Sequence, residues 1–343
     1  FSQTGTSTYS QVTEKSVYPP VEGRFEDPVI WKTNIQYHLI VNDWFGRIAY
    51  YLRSKDGVNW KIDPGEAYLP GIAIYEDGTV VDWFKYERIK VLQDEYGRAT
   101  QAHFAVIDTI KWDDLSNDNH SSKHICIPLN VGRLVTILNE DRINEATGSI
   151  RVKIAAEDGF NPHTDMDMES LRFGAPEEVN FGRGCKVLRT EKDGPDLIII
   201  FDGAGHGIEE DNFTAKLLGK TSRGDLLFAY ARLPWVDYIE PILSARLPEI
   251  ALGRDGCKLT LEVQNFGQVP SEPTTLEIEY VKCGKMVHIV SGNVPVLQPF
   301  QKVMLELHSD IVLNSGTEYN IRVSMLPEGQ KPVLLTGLVS VGE

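Results

Sequence analysis

The sequence is poor in cysteine and has neither a long apolar run nor a basic tail. Its 343 residues include only 4 cysteines, and none of them has the C-x-x-C spacing of a zinc ribbon or a thioredoxin-type pair. No stretch of ~18 uninterrupted apolar residues occurs, so the sequence predicts no membrane-spanning helix. The formal net charge of −15, with the basic residues scattered along the chain, argues against a protein that binds nucleic acid through its phosphates.

Sustained helical periodicity is also lacking. The best helical candidate is a short turn near residues 164–171, too brief to form a layer. Instead, short runs rich in β-branched and aromatic residues recur between Gly, Asp, Asn and Pro, for example at 37–41 and 48–52. Runs of this length, with turn residues at both ends, are typical of strands. The sequence therefore predicts an all-β protein built as a propeller, sandwich or barrel.

Three regions differ in aromatic content and in strand pattern. Residues 1–130 hold five of the six tryptophans, and aromatic rings suit both core packing and stacking on sugars. Residues 131–238 have longer strands and acidic, Gly-rich loops. Residues 239–343 contain strictly alternating segments at 258–263 and 275–280, which indicate half-buried antiparallel strands. Residues 160–174 read F-N-P-H-T-D-M-D-M-E-S-L-R-F-G, and with them the second region resembles an immunoglobulin-like β-sandwich module. The third region, with L-E-V-Q-N-F-G at 261–267, resembles an adhesion-type β-sandwich. The resemblance implies two sandwich domains after residue 130.

The first region carries two motifs that belong together. Residues 25–31 read F-E-D-P-V-I-W, and residues 54–60 read S-K-D-G-V-N-W. The stretch between them resembles one blade of the five-bladed β-propeller glycoside hydrolases of the family 43 type. In that family, an Asp-Pro-apolar-Trp motif opens a blade on its inner strand. The resemblance implies that Asp27 lies near the propeller axis, where substrate binds.

A second blade-like segment follows from Trp83 to about residue 106. It contains Y-E-R-I-K-V at 86–91 and D-E-Y-G-R-A-T at 94–100, similar to the family's E-R-P strand and D-E-x-G-x-P-T turn. Ile89 and Ala99 stand where the family has proline. The resemblance implies that Glu87 and Arg88 face the axis.

Glycosidic cleavage requires a carboxylic acid to protonate the leaving oxygen and a carboxylate to activate water or attack the sugar. We expect Glu87 to be the general acid. Asp27 is then the base, or a third carboxylate that orients the acid and tunes its pKa. The expected substrate-binding residues are Arg88, His103, His120, Trp44 and Trp83.

These residues predict a secreted or periplasmic glycoside hydrolase that acts on plant or algal polysaccharide-derived oligosaccharides. Two alternatives stay open: a non-catalytic carbohydrate-binding or surface protein, and a propeller-type polysaccharide lyase using Tyr86, Arg88 and His103. No cofactor is expected, although carboxylate clusters could hold a structural calcium ion. These clusters are Asp113, Asp114 and Asp118 in one loop, and Asp165, Asp167, Asp202 and Asp211 further on.

The first region is too short for a complete five-bladed propeller. Two sandwiches occupy about 210 residues, which leaves about 130 for the propeller. Blades of roughly 40–50 residues cannot form a closed five-blade ring in that length. We therefore expect the C-terminal part of a propeller, with the N-terminal blades and at least one catalytic carboxylate supplied from outside this sequence.

Overall fold

The computed structural model describes residues 11, 13–14, 16–45, 47–113, 115, 119–238, 240–327 and 332–342. It contains one unit formed by Lys15–Asp237 and a second built on Tyr238–Glu343. Nearly all regular structure is β, which confirms the all-β prediction. The turn expected near 164–171 is instead largely strand, and α1 (Pro176–Val179) is a single helical turn. No helix in the described ranges is both long and apolar enough to cross a membrane.

The N-terminal part of the first unit forms three antiparallel sheets. One is a four-stranded meander in the order β1-β2-β3-β4, one is the hairpin β5-β6, and one is the three-stranded sheet β7-β8-β9. These sheets are compatible with propeller blades. The strands are β1 (Phe25–Lys32), β2 (Tyr37–Asp43), β3 (Ile48–Ser54), β4 (Lys61–Tyr68), β5 (Gly71–Ile74), β6 (Val80–Trp83), β7 (Lys85–Gln93), β8 (Ala99–Ile107) and β9 (Ser122–Pro128).

A shared apolar core joins β1 to the β7-β8-β9 sheet. Val29 of β1 packs with Ile89 of β7, Phe104 of β8 and Ile125 of β9. The strands β1 and β7 are neighbours as a result. This packing positions the candidate site described below.

The rest of the first unit is a seven-stranded sheet in the order β12-β15-β16-β10-β11-β14-β13. Strand β10 pairs with β16 through Arg133 and Leu134, and with β11 through its later residues. At the other edge, a bridge from Phe173 to Cys185 brings the sheet close to closure. The strands are β10 (Arg133–Ile137), β11 (Ser149–Ile154), β12 (Met166–Gly174), β13 (Val187–Asp193), β14 (Asp196–Asp202), β15 (Thr214–Thr221) and β16 (Leu226–Arg232).

A buried arginine joins the meander to the seven-stranded sheet. Arg53, at 1% exposure, donates from Nε to Asp63 Oδ1 at 2.5 Å and from one terminal nitrogen to Thr214 Oγ1 at 3.0 Å. Its guanidinium lies 5.5 Å from the ring centroids of both Phe213 and Tyr230. A buried charge is tolerated only when it is paired and hydrogen-bonded, and these contacts satisfy that condition.

The second unit contains two four-stranded antiparallel sheets that enclose one core, with the alternating burial expected of half-buried strands. One sheet has β19 paired with β17, β18 and β22, and the other has the order β21-β20-β23-β24. Cys257 and Cys283 are free thiols, like the other two cysteines. The strands are β17 (Leu243–Ala245), β18 (Glu249–Gly253), β19 (Gly256–Asn265), β20 (Thr274–Lys282), β21 (Lys285–Val294), β22 (Lys302–Ser309), β23 (Glu318–Met325) and β24 (Val333–Ser340).

Candidate active site

Strands β1 and β7 carry the same irregularity at the same place. In β1 the register to β2 shifts by one residue between Glu26 and Val29, and in β7 the register to β8 shifts by one between Glu87 and Lys90. The inserted segment places Asp27 at φ +50° and Arg88 at φ +52°. The left-handed region is uncommon for residues other than glycine. Bulges of this kind re-aim side chains and are frequent beside active sites.

The two bulges bring five charged side chains together, which we call the carboxylate cluster: Glu26, Asp27, Lys85, Glu87 and Arg88. Arg88 Nε lies 3.6 Å from Asp27 Oδ2. The Lys85 ammonium contacts Glu87 and lies 3.8 Å from Glu26 Oε1. The structure thus places the three residues predicted as the axis group, Asp27, Glu87 and Arg88, in one cluster.

The pKa of Glu26 lies above that of an ordinary glutamate. Burial raises its pKa, and the negative charges of Asp27 and Glu87 raise it further, against the lowering effects of Lys85 and Arg88. A carboxyl with a raised pKa next to other carboxylates is the arrangement that separates a proton donor from a proton acceptor. Sequence reasoning missed Glu26, although it precedes Asp27 as Glu87 precedes Arg88, and that correspondence was the available signal.

Tyr68, at the end of β4, borders the cluster. Its hydroxyl donates to Asn42 Oδ1, and its ring packs edge-on against Phe104 with the centroids 4.9 Å apart. Burial raises the pKa of Tyr68, and the charges of Glu87 and Asp27 act in the same direction. Tyr68 therefore stays protonated at neutral pH and acts here as a hydrogen-bond donor.

The predicted tryptophans occupy different environments. Trp44, in the turn after β2, is 38% exposed, and Lys85 Nζ lies 5.9 Å from the centroid of its ring system. Trp44 thus borders the cluster. Trp83 is 2% exposed and lies in the core, where its Nε1 donates to Tyr75 Oη at 3.2 Å. The structure gives Trp83 a packing role, because its indole has no face open to a ligand.

The predicted histidines lie on the β7-β8-β9 sheet and its loop. His103 of β8 stacks on His124 of β9 with ring centroids 5.1 Å apart, and Cys126 Sγ lies 3.9 Å from His103 Nε2. His120 lies in the β8–β9 loop, with Nδ1 3.4 Å from Asp108 Oδ1. A further histidine, His38 of β2, is buried, and its Nδ1 lies 2.6 Å from Tyr51 Oη.

The aspartates considered for calcium divide into two groups. Asp114 and Asp118 lie outside the described residues. Further along, Asp165 accepts the amide of Asn161 at 2.8 Å and Asp202 accepts that of Ala204 at 2.9 Å, which are turn-capping contacts. Within the described ranges, no three His, Cys, Asp or Glu side chains are placed to hold a metal ion.

Comparisons with known proteins add little. No protein-family model matches the chain, and no curated protein matches it. Among solved structures, the chain is similar to dimeric latent PorU from Porphyromonas gingivalis at 12% sequence identity and a TM-score of 0.19. The matched region covers 93% of this chain and 29% of that protein, so the chain spans less than a third of its length. At this TM-score the likeness carries no argument about fold or function.

Proposed function

We propose that this protein is a glycoside hydrolase acting on plant or algal polysaccharide-derived oligosaccharides, with the reaction at the carboxylate cluster. The observation that carries the proposal is the matched pair of bulges, which gathers three carboxyl groups around two cations. Glycosidic hydrolysis needs two carboxyl groups in different protonation states. A secreted or periplasmic location suits such substrates.

The raised pKa of Glu26 supports a revised assignment of roles. In the proposal, Glu26 rather than Glu87 protonates the leaving oxygen, because burial and its two acidic neighbours favour its neutral form. Glu87 and Asp27 supply the second carboxylate, which activates water or attacks the sugar. Lys85 and Arg88 hold these carboxylates in place and contact substrate hydroxyls.

The test is hydrolysis of plant and algal oligosaccharides by the full protein, followed by thin-layer chromatography. Glu26→Gln, Glu87→Gln and Asp27→Asn should each lower turnover by about 10²–10⁴-fold. The matched control is Glu95→Gln, which makes the same change in the exposed turn beyond β7 and should leave turnover intact. Unchanged turnover in all three cluster variants, or no product from any substrate, would refute the proposal.

A second substrate class separates the roles of the two glutamates. A dinitrophenyl glycoside has a leaving group that departs without protonation, so the loss of a general acid matters little for its cleavage. Glu26→Gln should therefore retain activity on this substrate while Glu87→Gln loses it. The reverse result would return the acid role to Glu87.

A further inference from the structure

A groove of about 570 Å³ opens on the first unit, away from the carboxylate cluster. Its wall is formed by four segments: the β3–β4 turn with Trp60, the β10–β11 loop with Arg142, the loop before β15 with Phe213, and the segment after β16 with Trp235. The volume is in the range of small-ligand sites.

The groove and the cluster lie at opposite ends of the same four-stranded sheet. At one end, Glu26 pairs with Asn42, and Ala49 pairs with Tyr68. At the other end, Arg53 pairs with Lys61, the residue after Trp60. Since β3 is seven residues long, the two ends are about 20 Å apart at ~3.3 Å per residue.

The two tryptophans of the groove are held in place by the protein beneath them. Trp60 Nε1 donates to the carbonyl of Gly57 at 3.1 Å, and the side chain packs against the small apolar core of the four-stranded sheet. Trp235 packs on the core of the seven-stranded sheet. Both are half-buried, so each leaves part of a fixed ring at the groove. Rigid aromatic groups offer contact area at little cost in conformational entropy.

The polar side chains of the groove offer donors and acceptors in balance. Lys61 is anchored by Asp211 at 3.0 Å and by Glu177 at 3.1 Å, and Asn212 donates to Glu177 at 3.2 Å. The three cations of the lining are offset by three acids, so the lining is formally neutral: Lys55, Lys61 and Arg142 against Glu210, Asp211 and Asp237.

We propose that this groove binds a neutral oligosaccharide, at a site separate from the carboxylate cluster. A sugar presents apolar ring faces to aromatic planes and hydroxyls to both donors and acceptors, and this lining matches both. A phosphate or polyanion would need a surplus of cations, which this lining does not have. The site holds a glycan chain without cleaving it, and so goes beyond the proposed hydrolysis.

The experiment is titration calorimetry of the full protein with four neutral probes: xylohexaose, arabinohexaose, cellohexaose and laminarihexaose. All measurements use the Glu87→Gln protein, so that no probe is consumed. At least one probe should bind, and Trp235→Ala should weaken its affinity roughly tenfold. The matched control is Trp112→Ala, because Trp112 is 71% exposed and lies in the β8–β9 loop, outside the groove.

Two further variants keep the test decisive. Arg142→Ala removes an exposed lining residue with no bearing on the core, and should weaken binding about threefold even if Trp235→Ala fails to fold. Arg88→Ala reports occupancy of the carboxylate cluster and should leave groove binding unchanged. Absence of binding by all four probes, or loss with Arg88→Ala but not with the groove variants, overturns the proposal.

The outcome is distinguishable from that of the hydrolase test. If binding depends on Trp235 while the unmutated protein releases no product, the proposed glycan site is supported and the proposed hydrolase activity is refuted. Turnover that depends on Glu87, without binding at Trp235 or Arg142, would do the opposite.

Discussion

Asp27 and Arg88 occupy the same position in two matched bulges and contact each other, with Arg88 Nε 3.6 Å from Asp27 Oδ2. Both have a left-handed backbone, which costs about 1–2 kcal/mol for a residue with a side chain. The ion pair therefore joins two strained positions on neighbouring strands. Strain repeated at corresponding places points to a functional constraint. The carboxyl groups of the cluster lie beside both strained positions.

Glu26→Gln should stabilise the first unit at neutral pH. A carboxyl whose pKa is raised in the folded state favours folding below its unfolded pKa near 4.5, and that contribution is lost as pH rises through the folded pKa. The variant should therefore be more stable than the natural protein at pH 7. Its advantage should disappear by pH 4. The gain stays below about 1 kcal/mol because Glu26 is partly exposed and solvent screens its charge.

Urea unfolding at pH 4 and pH 7 measures this difference. Glu95→Gln serves as the control, since Glu95 lies in an exposed turn, and it should show no such pH-dependent gain. A gain for Glu26→Gln that is equal at both pH values would contradict the role assigned to its charge.

His38 should make the first unit sensitive to mild acid. Burial lowers its pKa to about 3, and Arg53 acts in the same direction. The unfolded chain takes up a proton near pH 6.5 while the folded protein does not, so stability falls as pH drops from 6.5 towards 3. Between pH 7 and pH 5 this single group should cost about 2 kcal/mol.

His38→Gln should remove that part of the pH dependence, even though it also loses the packing of the imidazole against Trp31. The measurement is the free energy of unfolding at pH 7 and pH 5 for the variant and the natural protein. His163→Gln in the same unit is the comparison and should keep the natural slope. An unchanged slope in His38→Gln would show that another group titrates.

Local features were predictable from the sequence because their causes are local. The Asp-Gly pair in the S-K-D-G-V-N-W motif is a common turn sequence, and it forms the turn after β3, with Asp56 Oδ1 accepting the amides of Val58 and Asn59 at 2.8 Å. The hairpin between β7 and β8 likewise has Gly97 at φ +77°. The alternation of apolar and polar residues in β19 and β20 predicted half-buried strands, and the two strands have that alternating burial in the second unit.

Long-range features were not predictable because their partners are distant in sequence. An arginine in a strand is usually a surface residue, and the burial of Arg53 depends on distant residues such as Thr214, 161 residues later, and Glu177. From the sequence, Trp83 fits equally well as an aromatic ring that stacks on a sugar or as a core residue. In the structure it packs in a hydrophobic core. The groove could not be predicted from the sequence because four separate segments form it.

Asp63→Asn should strongly destabilise the first unit. The substitution leaves the Arg53 guanidinium buried without its closest counter-charge, and breaking a buried pair in this way costs about 3–5 kcal/mol. Arg223→Ala, which removes an exposed pair with Asp225 in the same unit, should cost less than about 1 kcal/mol. Urea unfolding measures both. Similar costs for the two variants would mean that Asp63 does not hold Arg53 in place.

Arg88→Gly should raise stability while it impairs function. Glycine adopts the left-handed backbone of this position without steric cost, so the substitution removes about 1–2 kcal/mol of strain. The lost contact joins the exposed Arg88 guanidinium to the half-buried Asp27 carboxylate and contributes less than about 1 kcal/mol. Lys90→Gly, on the same strand just after the bulge, instead introduces glycine into regular strand and should destabilise by about 0.5–1 kcal/mol. Unfolding free energies that fall equally in both variants would show that the bulge stores no strain. A higher stability in Arg88→Gly, together with lower turnover, would show that the strain at this bulge is maintained for the chemistry of the cluster.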